Sequence, residues 1–387
     1  MVVFEIGDEG TQACGKYLAD MGASVTKVEP PAGAGSRYRG PFFEGNEDPD
    51  RSVYFWAHNT NKASVTIDLE DGHQRDLLRS ALSRADVVLE DHPPGYLAQL
   101  GLGYDQLSAA NPALVMTSIT PFGQTGPLAQ WKGSDMVAWA MGGAMSMVGY
   151  SDAETPPLVP RGDLSFQIAG QWAGIGTLAA LLGRDLLGGA GQHVDISVQE
   201  SVAFITDGYG VVPFEYTGTG VTRRDMPNLV RTGDGGYLVA QMLNISPDRW
   251  VAFRDWLRAN GLGAGLEAIP PAEFESHRDL LLKAVEEVAS TRTGAELFRL
   301  GQSFGFTWMA VNTPAQLLED EQLLYRGFFR DVEHPELARS IRYPGPAAHW
   351  SEAPWCLRSR PPLLGEDNLA FGLPARGTLD PPGHVTC

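Results

Sequence analysis

Cysteine is scarce. The chain has 387 residues and three cysteines, Cys14, Cys356 and Cys387, with no CxxC pair. An odd, widely spaced set fits a reducing compartment better than a disulfide-stapled fold. Lysine is scarcer than usual, at positions 16, 27, 62, 132 and 283 alone, so Arg dominates the 29 basic side chains. Against 47 acidic groups they leave a formal net charge of −18. A protein that grips nucleic acid or an anionic membrane needs a basic face, so this balance excludes both as principal partners. A small anionic ligand stays open, because a few placed cations suffice for it. No apolar run approaches the roughly 20 residues of a membrane span. The most apolar stretches, 136–149 and 164–183, contain Gly, Gln or Ser and read as buried helices. The opening MVVFEIGDEG lacks a basic segment followed by an apolar one, so no signal peptide is read there. A cytoplasmic protein is the expectation.

Metal and nucleotide motifs are missing too. The eight His are scattered, with no HxxxH and no paired Cys/His spacing, so no metal site is expected. GTQACGKY at 10–17 lacks the Ser or Thr that must follow the Lys of a phosphate-binding loop. It reads instead as a strand–turn–helix whose glycines permit tight packing. GAGSRYRG at 33–40 is not bracketed by strand and helix as a dinucleotide fingerprint requires. There is no GxSxG elbow.

What is present is 43% hydrophobic residues and 20% charged, an ordinary globular balance. Short apolar runs alternate with helical segments through the first third. VVFEI (2–6), SVTKVE (24–29), VTIDL (65–69), ADVVLED (85–91), LVMTSIT (114–120) and later HVDISV (193–198) read as strands. That pattern predicts an α/β fold with a mostly parallel sheet covered on both faces. From about 200 the pattern changes. GYLVAQM (236–242) and FTWMAVN (306–312) read as strands around a mainly helical stretch, 247–303. The segment 313–327 reads as one helix opening at Thr-Pro and stopping at Gly. Beyond 343 the Pro- and Gly-rich chain reads as an extended wrapping tail.

One segment carries chemistry. In PPLVPRGDLSFQIAGQWAGIGTLAALLGRD (156–185) a Pro-rich approach ends at Arg161-Gly162-Asp163, and a long helix follows. Asp163 stands where an N-cap belongs, and capping is the simpler role. The sharper role is a carboxylate nucleophile toward an activated acyl group, favoured by the positive end of the helix.

Several segments together resemble the class III coenzyme A transferases, the CaiB/BaiF family. They are YLADMGASVTKVEPPAGAGSR (17–37), NTNKASVTIDL (59–69), ADVVLEDHPPGYLAQLGLGYDQL (85–107), NPALVMTSITPFGQTGP (111–127), VPRGDLSFQIAG (159–170) and GRDLLGGAGQHVDISVQES (183–201). VNTPAQLLEDEQLLYRGFF (311–329), YPGPA (343–347) and PPLLGED (361–367) follow in the family's order. The resemblance implies a Rossmann-like large domain over 1–204, a small α+β domain over 205–305, and a return to the large domain with a wrapping tail over 306–387. It also implies two chains interlocked as a homodimer, although some relatives pair unlike chains, one of them inactive.

The resemblance further implies transfer of coenzyme A from an acyl-CoA to a carboxylic acid, with no permanently bound cofactor. Asp163 would attack the thioester, passing through a mixed anhydride and an aspartyl-CoA thioester. Val28 and Glu29 would lie near the adenosine end of the coenzyme. Arg37, Lys62 and Lys132 would meet its phosphates. Pro93 stands where many relatives carry an Arg before Pro-Gly. Glu9 falls near a Gln that orients the intermediate in oxalate-utilising members. Gly233, Gly235 and Gly236 would line the closed site, unless Asp234-Gly235 is a plain hairpin turn. Trp139, Met145 and Met147 belong either to an acyl pocket or to the core. Racemases of the family carry Gly-His-Asp where this chain has Gly133-Ser134-Asp135, which disfavours an acyl-CoA racemase or isomerase.

Overall fold

The structure, a computed structural model, describes residues 1–374 except 151, 153, 207–209, 220–228, 242–245, 271–272 and 353–354. Cys387 lies outside the described residues. Two compact units divide the chain: residues 1–149, 153–223 and 326–387 form one, and 150–152 with 224–325 the other. The expected joins at 204 and 305 both fall earlier than these. Strand Thr307–Ala310 pairs with Tyr237–Gln241 and so belongs to the second unit. Helices Val198–Ile205 and Val211–Thr217 belong to the first.

The first unit is built on six strands: β1 (Val2–Ile6), β2 (Ser24–Glu29), β3 (Lys62–Thr66), β4 (Val87–Glu90), β5 (Val115–Thr120) and β6 (His193–Ser197). Their order is β3-β2-β1-β4-β5-β6, and every pairing is parallel. The order reverses at β1 and β4, so a crevice opens beyond their carboxyl ends, where ligands of open α/β sheets bind. Alternation along the strands feeds two cores. Val3, Val25, Val87, Leu89 and Val115 pack on one face with Leu18, Ala169, Ala173 and Val198. Phe4, Val28, Val65, Val88 and Met116 pack on the other with Leu78, Leu82, Leu97 and Leu107. Trp139 is buried in the first of these cores and Met145 packs against it, so both are core residues.

The long helix Leu164–Leu187 crosses the sheet, and its Gly and Ala residues let it come close. A Cβ on Gly170 would lie 2.6 Å from that of Ala13, in helix Gln12–Asp20. Any larger residue there would push these two helices apart. β3 begins three residues before the VTIDL run because Lys62 and Ser64 point into internal polar contacts. No helix among the described residues is long and apolar enough to cross a membrane.

The segment 313–327 is two short helices, Pro314–Leu317 and Glu321–Tyr325, rather than one. The tail first forms a hairpin, β10 (Phe329–His334) and β11 (Arg339–Pro344), given β7, β8 and β9 as Leu229–Arg231, Tyr237–Gln241 and Thr307–Ala310. It then runs extended along the first unit. Arg358 and Ser359 donate backbone N–H groups to Asn61, and Asp367 and Asn368 accept from Ser64 and Thr66.

In the second unit, β7 and β8 are joined by a tight hairpin. Gly235 N–H donates to Thr232 C=O, Thr232 N–H to Gly236 C=O, and Gly235 sits at φ +84°. A type I turn followed by a left-handed Gly accounts for the Asp234-Gly235 pair.

Candidate active site

The turn after β1 carries Glu9 and is pinned from below. Asp91, at the end of β4, accepts from the backbone N–H of Asp8 and Gly10, each at 2.9 Å. Burial pushes the Asp91 carboxyl up to about 6, against the pull of these donors and Lys27. Glu9 projects beside the start of the long helix.

That helix start is unusual. Asp163 is its N-cap by position, but it lies in the left-handed region (φ 54°, ψ 41°) and its side chain makes no capping bond. Asp135 takes over that task from another helix. Its Oδ1 accepts from Ser165 N–H at 2.9 Å, Ser165 Oγ at 2.7 Å and Trp139 Nε1 at 3.2 Å. The capping role read for Asp163 is therefore corrected, and its carboxylate is left to turn outward. Left-handed geometry at a non-Gly residue costs of order 1–3 kcal/mol and clusters at functional sites. The Asp135→Ala variant is expected to lose about 1 kcal/mol of stability, the typical value of a cap. Its transfer rate should fall as well, because the helix start that holds Asp163 loosens. Urea unfolding beside a steady-state assay measures both.

Asp163 meets Arg39 and Tyr54. Arg39 Nη2 is 2.8 Å from Asp163 Oδ2, and Arg39 Nη1 is 2.5 Å from Glu9 Oε1. The guanidinium carbon lies 4.1 Å from the centre of the Tyr54 ring. The Tyr54 hydroxyl lies close to Asp163 and accepts from Gln12 Nε2 at 2.9 Å. Burial raises the Glu9 carboxyl, with the Arg39 hydrogen bond and charge opposing. Burial first, then the Glu9 and Asp163 charges, push the Tyr54 phenol upward, so it stays a donor.

His58 braces this arrangement. Gln167 Nε2 is 2.7 Å from His58 Nε2, so that ring nitrogen must accept, and Nδ1–H donates to Tyr54 C=O at 2.9 Å. Burial lowers the His58 pKa, which keeps the neutral ring these bonds need.

A cavity of about 650 Å³ opens over Asp163, walled by Glu9, Arg39, Ser134, Arg161 and Phe166 among others. Ser134 caps helix Asp135–Met141, its Oγ accepting from Val137 N–H at 3.4 Å. Arg161 has no hydrogen bond or ion pair among the described residues, and Lys132 is exposed beside Gly133. A second cavity, of about 290 Å³, lies at the reversal point of the sheet. Asp8, Val28, Glu29, Ile67, Leu69, His92 and Tyr96 contribute to its walls. The His92 and Tyr96 rings stack with centres 5.0 Å apart. Neighbouring residues of one turn, Asp8 and Glu9, thus touch the two cavities.

The expected phosphate contacts of Arg37 and Lys62 are corrected, because both side chains are sealed inside. Arg37 binds Glu29 through Nε at 2.6 Å and Nη2 at 2.8 Å, and it also reaches Asp50 and Pro362 C=O. Its side chain is 0% exposed. Burial favours the neutral acid of Glu29, but Arg37 overrides it and holds the carboxyl at about 2. Lys62 and Lys27 share Glu5 at 2.7 and 2.8 Å, all three side chains at 0% exposure. Burial brings the Lys62 ammonium down to about 8 despite Glu5.

Of the residues marked in sequence, the structure brings together Glu9 and Asp163, and separately Val28 and Glu29. Arg39 and Tyr54 were missed, although Arg39 stands in the same SRYRG stretch as Arg37. Gly235 and Gly236 lie in the other unit, in the hairpin turn.

Such a carboxylate, set at a helix start over a Rossmann-like sheet, defines a class that comparison makes specific. Residues 10–368 match CoA-transferase family III. The chain is 31% identical over 368 residues to the succinyl-CoA:(R)-benzylsuccinate CoA-transferase subunit BbsE of Thauera aromatica, covering 91% of this chain and 87% of that one. It is 35% identical over 375 residues to the succinyl-CoA–D-citramalate CoA-transferase of Chloroflexus aurantiacus, covering 92% and 88%. A crystal structure of a CaiB/BaiF family protein from Brucella suis superposes with a TM-score of 0.84 at 28% identity, covering 96% and 97%. The chain belongs to CoA-transferase family III and is an enzyme of that family.

Proposed function

We propose that the enzyme moves coenzyme A between an acyl-CoA and a carboxylic acid through covalent intermediates on Asp163. The observation that carries this reading is the Asp163 carboxylate itself, freed from capping by Asp135 and opening into the larger cavity. An oxygen of Asp163 attacks the thioester carbon, the C–S bond breaks and the CoA thiolate leaves. The thiolate then attacks the Asp163 carbonyl of the anhydride and expels the acid as a carboxylate. An incoming carboxylate reverses these steps and departs as the new acyl-CoA. The Tyr54 hydroxyl stands beside the atoms on which negative charge develops, where a fixed donor stabilises an oxyanion. Holding thioester and carboxylate together also replaces a bimolecular encounter.

The smaller cavity suits the adenosine end. Val28, Ile67 and Leu69 offer apolar walls and the His92–Tyr96 pair an aromatic edge. Among the described residues no Lys or Arg lines it, which favours a place outside it for the phosphates, and Lys132 remains the candidate cation from the sequence. Lys132→Glu is expected to raise KM for the acyl-CoA donor about fivefold at low salt, the range of an exposed charge contact, with kcat nearly unchanged. Initial rates against donor concentration check this.

A homodimer fits the apolar stripe Ile175, Leu178, Leu182 and Leu186, exposed along the long helix, and the exposed Phe204 and Phe214. The benzylsuccinate relative is a subunit, which keeps a heteromer in view. Transfer by the chain purified alone decides between them.

A further inference from the structure

The arginine at the centre of the site has two acidic partners with different fates. Arg39 holds Glu9 through Nη1 and Asp163 through Nη2, and Tyr54 lies under its face. Three segments of chain therefore fix the guanidinium: the turn after β1, helix Val53–His58 and the start of the long helix. Unlike Arg37, Arg39 is 38% exposed and forms part of the wall of the larger cavity. A ligand can reach it.

On the transferase reading of Asp163, which this inference rests on, Glu9 stays available as a partner throughout the cycle while Asp163 does not. Acylation turns the Asp163 carboxylate into an uncharged anhydride, and thiolate attack turns that into an uncharged thioester. When the thioester forms, the bond between the Asp163 carbonyl carbon and the bridging oxygen breaks. The bridging oxygen is a former Asp163 carboxylate oxygen, and it leaves with its electron pair as part of the free acid. The new carboxylate is thus born beside Arg39, at the moment Nη2 has lost its anionic partner.

We infer that Arg39 is an exchangeable carboxylate clamp. In the resting enzyme it holds Asp163, and in the acylated enzyme the same edge holds the reacting carboxylate of the leaving or incoming acid. Glu9 anchors the fork during the exchange. The ligand class is a free carboxylate, recognised at the group that reacts rather than through the rest of the acid. An arginine suits this better than a lysine, because its planar fork can keep one carboxylate while it exchanges another.

An Asp163→Asn variant mimics the uncharged, acylated state, with succinate and benzoate as probe acids. Calorimetry is expected to show both binding at least about tenfold more tightly than to the wild type, as for one charge-assisted hydrogen bond gained. Adding Arg39→Gln should abolish that gain, and Arg39→Lys should keep part of it. In otherwise wild-type enzyme, Arg39→Lys should raise KM for the acid more than KM for the acyl-CoA. No gain in Asp163→Asn, or a gain that survives Arg39→Gln, overturns the clamp. So does an Arg39→Lys enzyme whose kcat falls with both KM values unchanged, since Arg39 would then only orient Asp163. Hydroxylamine trapping of donor-loaded wild-type enzyme separates the two ideas. An adduct at Asp163 without Arg39-dependent acid binding sinks the clamp alone, and no adduct sinks the transferase reading.

Discussion

Asp163→Asn is expected to lower CoA transfer by roughly 10⁴-fold or more, the scale on which loss of a covalent nucleophile is felt. The amide keeps the size and much of the hydrogen bonding of the carboxylate, so Tyr54 and the helix start stay in place. What is lost is the oxygen that attacks. Neighbouring acids do not replace it. Glu9 is tied to Arg39, and Asp135 is occupied by Ser165 and Trp139. KM for the acyl-CoA should change little, because no part of the coenzyme site is touched. A variant that retained even a tenth of the wild-type rate would show that the aspartate serves structure rather than chemistry.

The second large effect is on stability. Arg37→Ala is expected to cost about 3–5 kcal/mol, the usual result of removing one partner of a buried ion pair. It strands Glu29, which is 1% exposed and is left, among the described residues, with hydrogen bonds from Ser64 Oγ and Ala34 N–H and the more distant charge of Lys27. It also removes the guanidinium stacked 3.8 Å from the centre of the Phe55 ring and the contact to Pro362 C=O that fastens the tail. Replacing both partners, as Glu29→Gln with Arg37→Met, should recover part of the loss, because no unpaired charge stays buried.

The same pair sets a pH dependence. The Glu29 carboxyl is held at about 2 in the folded protein, below its ordinary 4.5. Its contribution to stability is therefore complete above about 4.5 and is lost as pH falls toward 2. Urea midpoints measured between neutral pH and about pH 3 should show less acid sensitivity in the double variant. If Arg37→Ala left stability intact and raised KM for the coenzyme donor instead, Arg37 would be a phosphate ligand after all.

Much of the fold was legible because hydrophobic alternation and length report on strands. Five of the six sheet strands fall within the runs that sequence marks, and the order of elements gives the parallel sheet. β3 was displaced because Lys62 and Ser64 are charged or polar yet buried, paired with Glu5 and Glu29. A rule that equates burial with hydrophobicity cannot see them. For the same reason Lys62 looked like a coenzyme contact, whereas Lys27 of β2 and Lys62 of β3 both reach Glu5 of β1. The β10–β11 hairpin was missed because its strands mix charged residues with few apolar ones.

The site was half legible. Asp163 and Glu9 could be marked by position, but their junction through Arg39 depends on how three distant segments fold together. Asp135 was noticed for the residue before it, and its capping of another helix has no local signature.

The most direct measurement is the mass of the enzyme after brief exposure to acyl-CoA donors, followed by hydroxylamine and peptide mapping. The account predicts a donor-dependent hydroxamate on the peptide carrying Asp163, absent from Asp163→Asn. An active enzyme that never shows an adduct there, or shows one on Glu9 or Asp135 instead, would contradict it.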